Sequence, residues 1–180
     1  MSSYERNNLG YFFEALAFAK KPRLAMEIGV LDGYSARRIE KHSEKFIIWD
    51  LFEKFEYNHA NREQVQGLFP SALIEQVNYY SPHHIENGSI DLLHIDIANT
   101  GDTYRFFLEH YYEKLSPTGI AILEGGSEER DGYWWMKAFN KAPICDALIE
   151  FKEKGIDFQV IDIWPSLTIV RKHEVAHHNV

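Results

Sequence analysis

Four carboxylates and two glycines stand out in this sequence by where they fall. Glu27, Gly29 and Gly33 share one short segment, Glu27-Ile28-Gly29-Val30-Leu31-Asp32-Gly33-Tyr34-Ser35, and Asp50 follows 21 residues after Gly29. Gly29 can take dihedrals barred to other residues, and neither glycine has a side chain to hold a ligand off the backbone. A helix starting near Tyr34 would aim its free N–H groups at whatever occupies the turn. Ser35 is placed either to cap that helix, the favoured role, or to bond the ligand. The glycines are four apart with no third, which is not the G-x-G-x-x-G dinucleotide fingerprint. For the glycines alone, a plain strand-to-helix turn is an equal reading. Asp50 shifts the balance, because an acid ~20 residues beyond such a turn binds ribose hydroxyls in Rossmann-like folds. Glu27, Gly29, Gly33 and Asp50 together point to a ligand that contains a nucleoside.

The other two carboxylates are Asp96 and Glu124, each at the end of an apolar run. Open α/β sheets bind ligands at the carboxyl ends of their strands, so both are candidates for general-base work. His94 alternates with Asp96 and should leave its strand on the same face. A satisfied core histidine is the competing and favoured reading of His94, and Asp96 is the better candidate because it ends the strand. After Glu124 comes Glu124-Gly125-Gly126-Ser127-Glu128-Glu129-Arg130-Asp131-Gly132-Tyr133-Trp134-Trp135-Met136. A loop there would sit over the mouth of the site, with aromatics able to stack on a sugar or planar substrate. Alternatively Trp134 and Trp135 open a helix, with one of them in the core. The histidine pairs His83-His84 and His177-His178 have no convincing partner set for a metal.

These residues need elements to position them, and strand-like and helix-like stretches alternate nearly throughout. Arg23–Gly29, Lys45–Asp50, Glu75–Tyr80, Ile90–Asp96 and Ile120–Leu123 read as strands. Ser35–His42, Asn61–Phe69 and Asp102–Leu115 read as helices, and Ser116–Gly119 as a turn. That alternation implies a mostly parallel sheet covered on both faces. Asp157–Ile163 and Ser166–Arg171 are strands joined only by Trp164 and Pro165. So short a link allows a hairpin but no parallel crossover, so one of the two must run antiparallel. Leu9, Phe12, Phe13, Leu16, Ala17 and Lys20 at helical spacing mark a leading amphipathic helix within residues 1–20. Its aromatic stretch Tyr11 to Phe18 is suited to covering the sheet or to a homodimer interface. Residues 173–180 read as a frayed tail.

Composition sets the outer bounds. The 180 residues suit one domain, and Cys145 is the only cysteine, so no intramolecular disulfide can form and a reducing, cytoplasmic setting is expected. With 19 basic against 27 acidic residues and a net charge of −8, a general grip on nucleic acid or anionic membrane is disfavoured. No apolar run approaches the ~18 residues of a membrane span, and the N-terminus lacks the pattern of a signal peptide.

The segment Glu27 to Ser35 resembles the E-I-G-x-x-x-G-x-S turn of the small O-methyltransferase-like branch of the class I S-adenosylmethionine-dependent methyltransferases. Ile90 to Asp96, and then Lys114-Leu115-Ser116-Pro117-Thr118-Gly119, are similar to that branch's D-L-x-x-I-D and L-x-P-G-G stretches, and the closing hairpin matches as well. The resemblance covers roughly residues 22–172. It implies a Rossmann-like three-layer α/β sandwich with a mostly parallel seven-stranded sheet, order 3-2-1-4-5-7-6. It also implies S-adenosylmethionine as cofactor, with Glu27 and Gly29 beside its methionine part, Asp50 on the ribose and Leu51 against the adenine. Tyr79, Tyr80 and Ser81 would border the adenine edge, with ordinary packing an equal reading for the tyrosines. Asp96 would lie near the sulfonium, and Gly33 and Ser35 complete the cofactor set. Metal-dependent relatives use acids at the places of Asp96 and Glu124, to which Asn99 or Asp102 could add oxygen ligands for Mg²⁺ or Ca²⁺. Relatives often read I-D-G-D-H-x-Y where this chain has Ile95-Asp96-Ile97-Ala98-Asn99-Thr100-Gly101-Asp102-Thr103-Tyr104. The second acid and the histidine are missing, so metal-free transfer with Asp96 or Glu124 as base is preferred. The expected activity is methyl transfer to a small polar acceptor, through a hydroxyl oxygen of sugar or natural-product type. A non-catalytic protein that binds the cofactor or its product is the alternative, and a nicotinamide-dependent oxidoreductase ranks third.

Overall fold

The computed structural model describes residues 3–52, 60–81 and 84–173. Strands β1 (Leu24–Ile28), β2 (Lys45–Asp50), β3 (Leu73–Gln76), β4 (Ile90–Ile95) and β5 (Leu115–Glu124) run parallel to one another. With β6 (Asp157–Ile161) and β7 (Leu167–Arg171) they form one sheet in the order β3-β2-β1-β4-β5-β7-β6. β7 is antiparallel to both β5 and β6, which is the reversal that the short link at Trp164-Pro165 requires.

Eight helices among the described residues cover the two faces: α1 (Ser3–Arg6), α2 (Gly10–Lys20), α3 (Ala36–Glu40), α4 (Arg62–Leu68), α5 (Gly101–Phe106), α6 (Glu128–Asp131), α7 (Trp134–Ala138) and α8 (Ile144–Glu153). On one face Phe13 and Ala17 of α2, Ile39 of α3 and Val65 of α4 pack with Ala25, Ile48, Leu92 and Ile122 of the sheet. On the other, Tyr104 of α5 and Ile144 and Phe151 of α8 pack with Met26, Leu93, Ile95 and Leu123. This is a three-layer, Rossmann-like α/β sandwich. β4 lies at its centre with every residue buried, which is why Ile90-Asp91-Leu92-Leu93-His94-Ile95 reads as an apolar run rather than an alternation. Among the described residues no helix is long and apolar enough to cross a membrane.

Several elements depart from the pattern read in the sequence. The leading helix is two helices, broken where Asn8 takes a left-handed φ of 57°. Gly10 opens the second and lies close against the Arg38 guanidinium, which stacks 3.7 Å from the Tyr34 ring. The break turns Tyr4 inward, to 3% exposure. The third strand is Leu73–Gln76 rather than Glu75–Tyr80, since β2 stops at Asp50 and offers no ladder beyond it. Tyr79 instead stacks on Tyr111 with centroids 5.0 Å apart. The helix expected from Asp102 to Leu115 ends at Phe106 and passes into a π turn (Phe107–Tyr111) and a 3₁₀ turn (Tyr112–Lys114). The wider turn lets Phe107 and Tyr111 both reach the core. Ser116–Gly119 belongs to β5 as a bulged stretch, with pairing to β4 jumping from Leu115↔Ile90 to Ile120↔Leu92. Neither tryptophan of α7 is a core residue: Trp134 is exposed and Trp135 half-buried, while Met136 fills the core position. His83, the pair His177-His178 and the expected tail from residue 174 onward lie outside the described residues.

Candidate functional site

The glycine turn follows β1 directly and is shaped by what crosses it. Gly29 takes a φ of 86°, and a Cβ there would run into the backbone carbonyl of Asp96. Gly33 takes a φ of 71°, and a Cβ there would press on the Phe69 ring. Both positions thus need glycine for conformation and for space. Asp50, at the end of β2, ties down the same turn: it accepts from the backbone N–H of Val30 at 2.7 Å and from that of Phe52 at 2.6 Å. Its carboxylate is fixed in place, and each oxygen has capacity for more than one hydrogen bond.

Ser35 does not cap α3. Its hydroxyl donates to the buried Glu27 carboxylate at 2.9 Å, while the Asp32 carboxylate accepts from the backbone N–H of Tyr34. The carboxyl ends of β1, β4 and β5 open together onto a cavity of about 500 Å³. Glu27, Gly29, Gly33, Ser35, Asp50, Leu51, Asp96 and Glu124 line it, so the structure gathers most of the residues singled out in the sequence. Tyr80 is not among the described lining residues; it is exposed and its hydroxyl lies 2.7 Å from Thr103 Oγ1. Tyr79 is buried and donates to the Thr103 carbonyl. His94 is also absent from the described lining, being fully buried beneath the Phe13 ring at 4.7 Å.

Two residues of the wall had no role in the sequence reading, Tyr4 and Arg130, while Trp135 stood among the aromatics read as able to stack on substrate. Tyr4 reaches in from α1, and Arg130 and Trp135 from the segment after β5. Arg130 holds Glu124 through two hydrogen bonds, Nε to Oε1 at 2.5 Å and Nη2 to Oε2 at 3.0 Å, and its Nη2 also donates to the Asn99 carbonyl. Its guanidinium lies 4.7 Å over the Trp135 ring. Burial pushes Glu124 up to about 7, against the lowering by Arg130 and with a further push from the Asp96 charge. Burial likewise raises Tyr4 well above the ordinary tyrosine value, helped by the charges of Asp96, Glu124 and Glu27. A phenol in that setting is a hydrogen-bond donor at neutral pH. Tyr4 carries no signal beyond its place ahead of the Asn7-Asn8 break, whereas Arg130 and Trp135 lie in a segment whose glycines, charges and aromatics did mark it.

Of the proposed oxygen ligands of a metal, Asn99 and Glu124 are otherwise engaged. The Asn99 amide donates to the carbonyls of Ile95 and Glu124 and accepts from the N–H of Ile97, and Asp102 pairs with Arg105 at 3.4 Å. Among the described residues no three His, Cys, Asp or Glu side chains cluster as a metal site.

No curated protein matches the sequence of this chain. Among solved structures it is similar to the SAH-bound methyltransferase PaMTH1 of Podospora anserina, at 18% identity over 97% of this chain and 80% of that one, TM-score 0.61. It is similar to an S-adenosylmethionine-dependent methyltransferase of Mesorhizobium loti, at 15% identity over 90% and 96% of the two chains, TM-score 0.63. The O-methyltransferase TomG of Streptomyces achromogenes, in complex with SAM, aligns at 14% identity over 92% and 80%, TM-score 0.61. At these identities the likeness establishes the fold. The family described as "Methyltransferase domain" matches residues 26–124, which run from β1 through the glycine turn, Asp50 and Asp96 to Glu124. By that match, over more than half of its length, the chain belongs to the methyltransferase-domain family.

Proposed function

We propose that this protein transfers a methyl group from S-adenosylmethionine to a hydroxyl oxygen of a small, uncharged acceptor, with Asp96 as the general base. The observation that carries the reading is the convergence of the glycine turn, the anchored Asp50 carboxylate and Asp96 on one cavity. The donor fits these residues. Gly29 lets the turn pass directly against the Asp96 backbone, where a Cβ would collide, and so brings the turn and Asp96 to the same end of the sheet. Asp50 would accept from the ribose hydroxyls, Leu51 would meet the adenine, and Glu27 and the turn would lie beside the methionine part. When bound, S-adenosylmethionine supplies an activated methyl on a sulfonium. Charge supports the same assignment: Glu27, Asp32, Asp50, Asp96 and Glu124 face the cavity against the single Arg130 among its described lining. Such a field attracts a sulfonium, holds its neutral thioether product less strongly, and disfavours phosphorylated or carboxylate acceptors.

The protein's own part in the reaction is then modest and specific. The walls hold the acceptor in line with the methyl, and Asp96 accepts the proton that the hydroxyl must lose. Glu124 is committed to Arg130, so its role is to fix the guanidinium and the wall of the cavity. Trp135, against the Arg130 guanidinium, gives the cavity an aromatic wall.

The test is a methyl-transfer assay with methyl-labelled S-adenosylmethionine and a panel of catechol, methyl glucoside and N-acetylserine, read by mass spectrometry. Asp96→Asn should lose ~100-fold or more in turnover while keeping donor affinity. Transfer that persists at the wild-type rate in Asp96→Asn would refute Asp96 as the base.

A further inference from the structure

The cavity wall leads into a buried line of polar groups, Tyr4, His94 and Glu27. Glu27 on β1 and His94 on β4 are direct register partners on neighbouring strands. Glu27 Oε2 and His94 Nδ1 lie 3.4 Å apart, and each is a buried polar atom with no hydrogen-bond partner. The other carboxylate oxygen of Glu27 is held by Ser35, which fixes the group. On the far side of the imidazole, Nε2 is 3.4 Å from the Tyr4 hydroxyl. Tyr4 in turn lines the cavity together with Asp96, whose charge is among the causes that raise its phenol. Buried polar atoms are nearly always paired, so two facing orphans call for a reason. A fully buried histidine placed only for packing would be better replaced by an apolar side chain.

We propose that Tyr4, His94 and Glu27 form a proton relay that clears Asp96 after each methyl transfer, with Tyr4 as a catalytic residue of the reaction and His94 and Glu27 positioning and storing the proton. The inference rests on the methyl-transfer reading above. The acceptor O–H bond breaks and its proton passes to Asp96 as the acceptor oxygen gains the methyl and the sulfonium becomes a thioether. Asp96 then gives that proton to the Tyr4 oxygen while the phenolic proton moves to His94 Nε2. The carboxylate of Asp96 is regenerated, Tyr4 is unchanged, and the new imidazolium is balanced by Glu27 until product leaves, when the proton returns through Tyr4 and Asp96 to water in the open cavity and the relay is reset. A proton at Nδ1 facing Glu27 would leave Nε2 bare to receive from Tyr4, which is how a carboxylate sets the tautomer of its histidine. The 3.4 Å spacings are the loose geometry that catalytic hydrogen bonds show before substrate tightens them. The charged groups that meet His94 are Glu27 on β1 and, through its charge, Glu124 on β5, itself neutralised by Arg130.

The experiment is long-range ¹H–¹⁵N NMR of the ¹⁵N-labelled full chain at pH 7, together with calorimetry using S-adenosylhomocysteine. The His94 ring is assigned through its contact with Phe13, so its tautomer is read in the unmodified protein. The expected result is a protonated Nδ1 and a bare Nε2. Tyr4→Phe keeps the ring, and it should move the Nε2 resonance, leave S-adenosylhomocysteine affinity within about twofold, and lower steady-state turnover of the reactive panel member ~10-fold or more while the first turnover is spared. A protonated Nε2 in the free protein, or an Nε2 resonance indifferent to Tyr4→Phe, overturns the relay while the methyltransferase reading stands. Absence of S-adenosylhomocysteine binding overturns both.

Discussion

Removing the Arg130 guanidinium tests how the cavity wall is held together. Glu124 is 5% exposed and both of its carboxylate oxygens accept from Arg130. Arg130→Met keeps length and apolar bulk but leaves that carboxylate buried without its cation. Breaking a buried pair from one side costs about 3–5 kcal/mol. The loss should depend on pH. The Glu124 carboxyl is already raised to about 7 in the native protein, chiefly by burial. A carboxyl raised on folding binds more protons in the native than in the unfolded state, so stability falls as pH rises from its unfolded value toward the folded one. Without Arg130 the folded value rises further and the window extends to higher pH. The variant should therefore lose most at pH 8 and regain up to about 1.4 kcal/mol for each pH unit of acidification through that window. Denaturant titration followed by tryptophan fluorescence at pH 6, 7 and 8 reads this directly. The double variant Glu124→Gln/Arg130→Met should recover most of the loss at pH 8. A variant as stable as the parent at pH 8, or one whose loss grows toward acid, would refute the reasoning.

Gly29→Ala should cost more than the ~1–2 kcal/mol of a left-handed residue alone, because the new Cβ meets the Asp96 carbonyl. Denaturation would show the stability loss and calorimetry a parallel loss of S-adenosylmethionine binding; an alanine variant that binds normally contradicts the account of the turn. EDTA should leave methyl transfer unchanged, since Asn99 and Glu124 already spend their polar atoms on protein partners. A chelator-sensitive activity restored by Mg²⁺ would reverse that assignment. Thr100→Ala should cost ~1 kcal/mol through loss of the α5 capping box and leave donor affinity intact, which makes it a control for general destabilisation.

The sheet was legible because its determinants are local in the sequence. Apolar runs such as Lys45–Asp50 each end on a carboxylate or glycine, and the short link at Trp164-Pro165 forces the antiparallel strand. The glycine turn and Asp50 were legible for the same reason, since spacing along the chain translates directly into a turn and the end of the adjacent strand. What sequence spacing could not supply was contact between distant segments. Tyr4 meets His94 across ninety residues, only because Asn8 and Gly10 bend the leading helix over the cavity. Ser35 is at the N-cap by sequence, yet it serves Glu27, eight residues back, because the turn folds it beneath the strand. Tyr80 follows a strand in the sequence, yet Thr103 of α5 takes up its hydroxyl. Nor could composition indicate that Glu124 would be absorbed by Arg130 six residues later.

The central claim is that the glycine turn and Asp50 hold S-adenosylmethionine. Calorimetric titration of the purified protein with S-adenosylmethionine, S-adenosylhomocysteine and NAD, repeated on Asp50→Ala, tests it most directly. The account expects micromolar binding of the first two, none of NAD, and at least ~10-fold weaker binding in the variant from the loss of charge-assisted bonds to the ribose. A folded sample that binds none of the three, or an Asp50→Ala variant that binds S-adenosylmethionine as tightly as the parent, would contradict it.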